Sequence, residues 1–150
     1  MERFTPEALR TPEVLAGALA EFSARYDAHK EDRTAPYPGI PEAVDALERA
    51  GVVTAVLSNK AHPMARAVVE RYFPGRFREV QGALEGAPLK PDPTLLRALL
   101  ARLGAHPERT LFVGDSGVDI RTARNAGLAG CGVLWGFRGR EELLEAGPGP

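Results

Sequence analysis

The sequence predicts an α/β fold, a parallel sheet with crossover helices on its faces. Three observations carry this. Helical and strand patterns alternate from Pro41 onward. The apolar run Leu111-Phe112-Val113 suits the inside of a parallel sheet. That run breaks at Gly114, which lets the backbone turn, into a loop with two carboxylates, Asp115 and Asp119. In open α/β sheets the loops beyond the strand ends are where ligands bind.

The elements follow in order. Thr11-Pro12-Glu13 starts a helix with a capping hydroxyl, a first-turn proline and an acid at the positive end of the helix dipole. Leu15, Leu19, Phe22 and Tyr26 continue it at helical spacing to about His29. A polar linker fills 30–35, and the stiff turn Tyr37-Pro38-Gly39-Ile40-Pro41 leads into a helix over 41–50 closed by Gly51. A β-branched strand over 52–57 ends at Ser58-Asn59-Lys60. A helix over 63–73 carries Met64, Val68 and Tyr72 on one face, and a weaker strand covers 77–81. Asp92 caps, and Pro93 opens, a leucine-rich helix that Gly104 stops. After the acidic loop come a helix over 118–126, a strand over 132–136 and a short helix over 141–146. The composition shift at 30–37 separates a helical piece, 1–36, from an α/β body, 37–150.

Composition narrows the function. The 150 residues, 44% hydrophobic and 26% charged, are one globular domain's worth of chain. A net charge of −1 supplies no basic field for nucleic acid or an anionic membrane. No apolar run is long enough to span a bilayer, and Met1-Glu2-Arg3-Phe4 lacks a signal-peptide core, so a cytoplasmic location is expected. The single cysteine, Cys131, excludes an intrachain disulfide and a cysteine metal cluster. Among the 19 Lys and Arg residues only Lys30, Lys60 and Lys90 are lysines, and two of these fall at predicted loop edges.

Three loops meet at the predicted ligand edge. Asp115 and Asp119, with no base beside them in their loop, repel each other; a hard cation such as Mg²⁺ would relieve this, and a plain N-cap by Asp115 or Ser116 is the structural alternative. Ser58 and Asn59 offer a hydroxyl and an amide at a strand end. Lys90, stiffened by Pro91, suits a point-charge contact to a phosphoryl oxygen. A hydroxyl, an ammonium and a metal at one edge make a phosphoryl site.

Leu57-Ser58-Asn59-Lys60, Leu89-Lys90-Pro91-Asp92-Pro93 and Val113-Gly114-Asp115-Ser116-Gly117-Val118-Asp119, in that order, resemble motifs II, III and IV of the haloacid dehalogenase superfamily. Tyr37-Pro38-Gly39 and Val133-Leu134-Trp135-Gly136-Phe137, with Arg140-Glu141-Glu142-Leu143-Leu144, resemble its phosphoglycolate phosphatase branch. The resemblance implies that Ser58 and Asn59 hold the phosphoryl group and that Lys60 faces the substrate. Lys90 would neutralise phosphate and nucleophile, Asp115 would bind Mg²⁺, and Asp119 would support the metal and its waters. The implied substrate is a small phosphorylated metabolite.

The same resemblance calls for a motif I, Asp-x-Asp-x-Thr, on a central strand between those ending at Ser58 and Asp115. The aspartates are 27, 32, 45, 92, 115 and 119, and no two are separated by a single residue. The expectation is therefore an incomplete Rossmannoid sheet lacking that strand, with 1–36 as the remnant of a helical cap and linker. Its strands either pair directly across the gap or leave it open, inviting self-association or a complementing chain. The functional expectation is a truncated phosphatase, inactive alone; the alternative is a non-catalytic phosphate- or partner-binding module, or a gene fragment.

Overall fold

The computed structural model describes residues 5–29 and 32–147. The sequence readings at 1–4, at the start of the 30–35 linker and at the last three tail residues lie outside these. The chain forms two compact units, Met1–Pro36 and Tyr37–Pro150.

The first unit is a short 3-10 turn, Glu7–Leu9, and one long helix, α1 (Pro12–His29). Thr11 caps it as its sequence position predicts, its Oγ1 accepting from the Val14 N–H at 3.3 Å. Along the apolar stripe Phe22 stacks on Tyr26 with ring centroids 5.9 Å apart, while Leu19 and Phe22 remain half exposed.

The second unit carries α2 (Ile40–Arg49), β1 (Ala55–Ala61), α3 (His62–Tyr72), β2 (Glu79–Ala83), α4 (Thr94–Leu103), β3 (Leu111–Gly114), α5 (Gly117–Ala126), β4 (Ala129–Gly132) and α6 (Arg140–Glu145). β1 pairs with β2 and β3 with β4, both in parallel, as two separate two-stranded sheets. Among the described residues no ladder joins β1 to β3, so of the two expected outcomes the gap stays open. What links the two sheets is the core on one face. Leu96 and Leu100 of α4 pack with Ala123 and Ala126 of α5 and with Leu128, and Leu57 of β1 and Phe112 of β3 both rest on this cluster. Each fully buried leucine there contributes about 1.5–3 kcal/mol.

Three strands start or end elsewhere than their propensities predict. Val52 and Val53 are 49% and 66% exposed, and the Val52 N–H closes the end of α2 on Leu47 O at 3.0 Å, so β1 starts only at Ala55. β2 begins at Glu79, just after the Arg78 N–H donates to Thr54 O at 2.9 Å, while Phe77 lies edge-on to Phe73, ring centroids 5.6 Å apart. β4 ends at Gly132, where its partner ends: Gly114 pairs with Gly132, and Val133 N–H to Gly114 O, 2.9 Å, is the last bond. Trp135 therefore falls in the following turn.

Candidate active site

β1 does not stop at Ser58. It runs to Ala61 with a shift in register, Leu57 facing Gln81 and Ala61 facing Ala83, so four steps on β1 match two on β2. The two extra residues bulge, which re-aims the Ser58-Asn59-Lys60 segment; bulges recur beside functional sites for this reason. Within the bulge the Lys60 N–H donates to Ser58 Oγ at 3.1 Å, leaving the Ser58 hydroxyl proton to be donated elsewhere. The crowding around it explains Gly82 on β2, where an added Cβ would stand 2.6 Å from Lys60 O.

Asn59 spends its side chain on Lys90. Its Oδ1 accepts from the Lys90 N–H at 2.8 Å and its Nδ2 donates to the Lys90 carbonyl at 3.1 Å, so one side-chain amide brackets both backbone polar groups of one residue. From the other side Asn125 Nδ2 donates to Pro91 O at 2.9 Å. The mount that proline suggested in the sequence is thus completed by two asparagines. Asp92 lies just beyond, one residue ahead of the N-cap Pro93, and its Oδ1 accepts from the Thr94 N–H at 2.8 Å, so α4 opens at Thr94, one residue later than the sequence pattern places it. Hydrogen bonds from Thr94, side chain first and backbone second, hold the Asp92 carboxyl below the ordinary carboxylate range.

So mounted, the Lys90 ammonium donates to Leu57 O at 3.2 Å and to Asp119 Oδ1 at 2.6 Å, and lies 5.7 Å from the centre of the Phe112 ring. The pair is nearly buried, with side chains 14% and 8% exposed. Lys90 thereby spans the gap, touching a carbonyl of β1 on one side and a ring of β3 and a carboxylate of α5 on the other. A cation desolvated to this degree requires both acceptors.

The acidic loop divides its two carboxylates between two tasks. Ser116 is the N-cap of α5, and with Asp119 forms a capping box. Asp119 Oδ2 accepts from Ser116 Oγ at 2.6 Å and from its N–H at 3.2 Å, so both Asp119 oxygens are committed, one to the cap and one to Lys90. Of the two residues weighed as a plain N-cap, Ser116 therefore is the cap and Asp115 is not. Asp115 stands outside the helix, half-buried, with Oδ2 accepting from the Phe137 N–H at 2.8 Å and no hydrogen bond from the described residues to Oδ1. Gly114 matters through space rather than through a turn: its φ is not positive, and an added Cβ would fall 2.7 Å from Asp119 Oδ2 and closer still to Cβ and Cγ.

Among the described residues no three His, Cys, Asp or Glu side chains converge as a metal cage. The donor set fits a hydrated Mg²⁺ held through Asp115, since this ion is commonly bound by one or two carboxylates, waters and substrate phosphate.

Lys90 and Asp119, joined between β1 and β3, with Ser58 on the bulge of β1 and Asp115 in the loop after β3, lie at the strand ends of an α/β protein. The chain matches the haloacid dehalogenase-like hydrolase family over residues 2–127, and it belongs to that family. Its likeness within the family is to the phosphoglycolate phosphatase branch. It is 36% identical over 118 residues to the N-acetylmuramic acid 6-phosphate phosphatase of Pseudomonas aeruginosa, covering 78% of this chain and 52% of that one. It is 33% identical over 129 residues to the phosphoglycolate phosphatase of Xylella fastidiosa, covering 85% and 56%. A crystal structure from Lactobacillus delbrueckii, provisionally assigned as a phosphoglycolate phosphatase, superposes with a TM-score of 0.86 at 36% identity, over 95% of this chain and 59% of that one. The chain spans about half the length of the curated relatives it matches.

Proposed function

We propose that these 150 residues supply the phosphate- and metal-holding part of a Mg²⁺-dependent phosphomonoester hydrolase of the phosphoglycolate phosphatase type. The observation that carries the reading is Lys90, bracketed by Asn59 and held between Leu57 O and Asp119 Oδ1 at the sheet edge. An ammonium fixed there is placed to offset phosphate charge, and the Ser58 hydroxyl on the adjoining bulge is placed to donate to a phosphoryl oxygen. Lys60, on the same bulge, is assigned to the substrate side. Asp115 would hold Mg²⁺, with Asp119 behind it supporting loop and lysine. When bound, the ion supplies Lewis-acid polarisation of the phosphoryl oxygens.

The relatives are named for N-acetylmuramic acid 6-phosphate and phosphoglycolate, and on that chemistry the substrate class is a small phosphorylated metabolite. In this reading residues 1–36 are a remnant cap and linker and residues 37–150 are the core. None of its aspartates forms the Asp-x-Asp pair that the family resemblance calls for, so in this reading these residues do not themselves supply the attacking carboxylate. That absence favours a second reading, a module that binds phosphate without turnover. No helix among the described residues is long and apolar enough to cross a membrane.

Calorimetry with inorganic phosphate, with and without Mg²⁺, alongside hydrolysis of p-nitrophenyl phosphate, separates these outcomes. Mg²⁺-linked phosphate binding that Lys90→Ala abolishes supports the site; turnover distinguishes the hydrolase from the binding module. Phosphate binding equal in wild type and Lys90→Ala overturns the assignment.

A further inference from the structure

The acidic loop is gripped by a segment to which no part of the reading above gives a role. After β4 the chain folds back along the loop and bonds it at three successive points. The Val133 N–H donates to Gly114 O at 2.9 Å, the Phe137 N–H donates to Asp115 Oδ2 at 2.8 Å, and Glu142 Oε1 accepts from the Gly117 N–H at 3.0 Å. The middle contact is the closest. A Cβ at Gly136 would lie 2.6 Å from Asp115 Cγ, and nearer still to Cβ and Oδ2. Gly136 does not have a positive φ, so its backbone conformation does not demand glycine; only the approach of Asp115 does. Phe137 is otherwise 90% exposed, so what this residue gives the site is its backbone N–H.

The geometry points to Gly136 and the Phe137 N–H as positioning elements for Asp115: they fix one carboxylate oxygen and thereby aim the other, Oδ1, at the cation. The inference rests on the reading of Asp115 as the Mg²⁺ ligand. A ligand oxygen left to rotate loses affinity, and removing such an outer contact typically weakens metal binding by about 10–100-fold.

The test is Mg²⁺ calorimetry in the presence of inorganic phosphate, paired with thermal melts and amide exchange. Gly136→Ala and Phe137→Pro are each expected to weaken Mg²⁺ by about 10–100-fold. Phe137→Ala, which keeps the N–H, and Gly139→Ala, whose added Cβ meets nothing within 4 Å, are expected to bind as wild type with unchanged melting. Phe137→Pro provides the answer should Gly136→Ala fail to fold. If Asp115→Asn abolishes Mg²⁺ binding while Gly136→Ala and Phe137→Pro bind normally, the positioning inference falls and the metal reading stands. If Asp115→Asn itself binds Mg²⁺ normally, the metal reading falls. One readout needs no metal: protection of the Phe137 amide should be lost in Asp115→Ala, and its persistence there would overturn the inference.

Discussion

Lys90 and Asp119 form the pair on which the second unit turns, because each is nearly desolvated and each relies on the other. Removing one partner strands a charge. Lys90→Ala is expected to cost about 3–5 kcal/mol. Lys90→Met combined with Asp119→Asn, which strands none, should cost less; urea midpoints at constant m-value would show the difference. Asp92 makes a contrasting, pH-linked contribution. Its carboxyl is held lower in the folded chain than in the unfolded one, so its stabilisation is complete above the ordinary carboxylate pKa and fades as pH falls through the lowered folded value. Melts of wild type and Asp92→Asn should accordingly differ at neutral pH and converge in acid. At this scale the sequence marks candidate residues by type and order but not what they touch. Ser58, Lys90, Asp115 and Asp119 stand out by type and order. That Asn59 would grip Lys90, or that Gly136 would abut Asp115, depends on contacts 31 residues apart in one case and between separate loops in the other. The one local hint was a glycine between two aromatics, Trp135 and Phe137.

The helices were legible because their stop and start signals are local. Thr11 and Ser116 cap where hydroxyls precede helical runs, Asp92 binds the first amide of α4 from just ahead of its N-cap, and Gly104 and Gly127 close α4 and α5 in the left-handed conformation. Ser116→Ala is expected to destabilise by about 0.5–2 kcal/mol and to loosen Asp119, because the box is reciprocal. Denaturation gives the first effect, and exchange at the Asp119 amide the second. The strands were less legible. Strand preference records a fit to neighbours, so Val52 and Val53 look like strand yet find no partner surface, and β4 can extend only as far as β3 accompanies it.

For the whole molecule the open gap dominates. β1 and β3 each have one paired edge and one that no described strand covers, and Leu111 and Val113 on β3 are 58% and 54% exposed. In a strand, alternate amides face opposite edges, so hydrogen exchange along β3 should alternate, fast at amides facing the gap and slow at those bonded to β4. Uniform protection along β3 would mean that another chain covers the edge. The missing strand could be expected from the order of motifs, whereas Lys90 spanning the space could not, because no local pattern encodes a contact between two sheets. The three crowded glycines carry a consequence for inheritance. Every single-base change in a glycine codon that alters the residue adds at least a methyl group. Gly82, Gly114 and Gly136, each with no room for one, therefore form a small set of positions at which this lineage has almost no neutral neighbours in sequence space, while Gly17 and Gly139, facing open space, are free to drift.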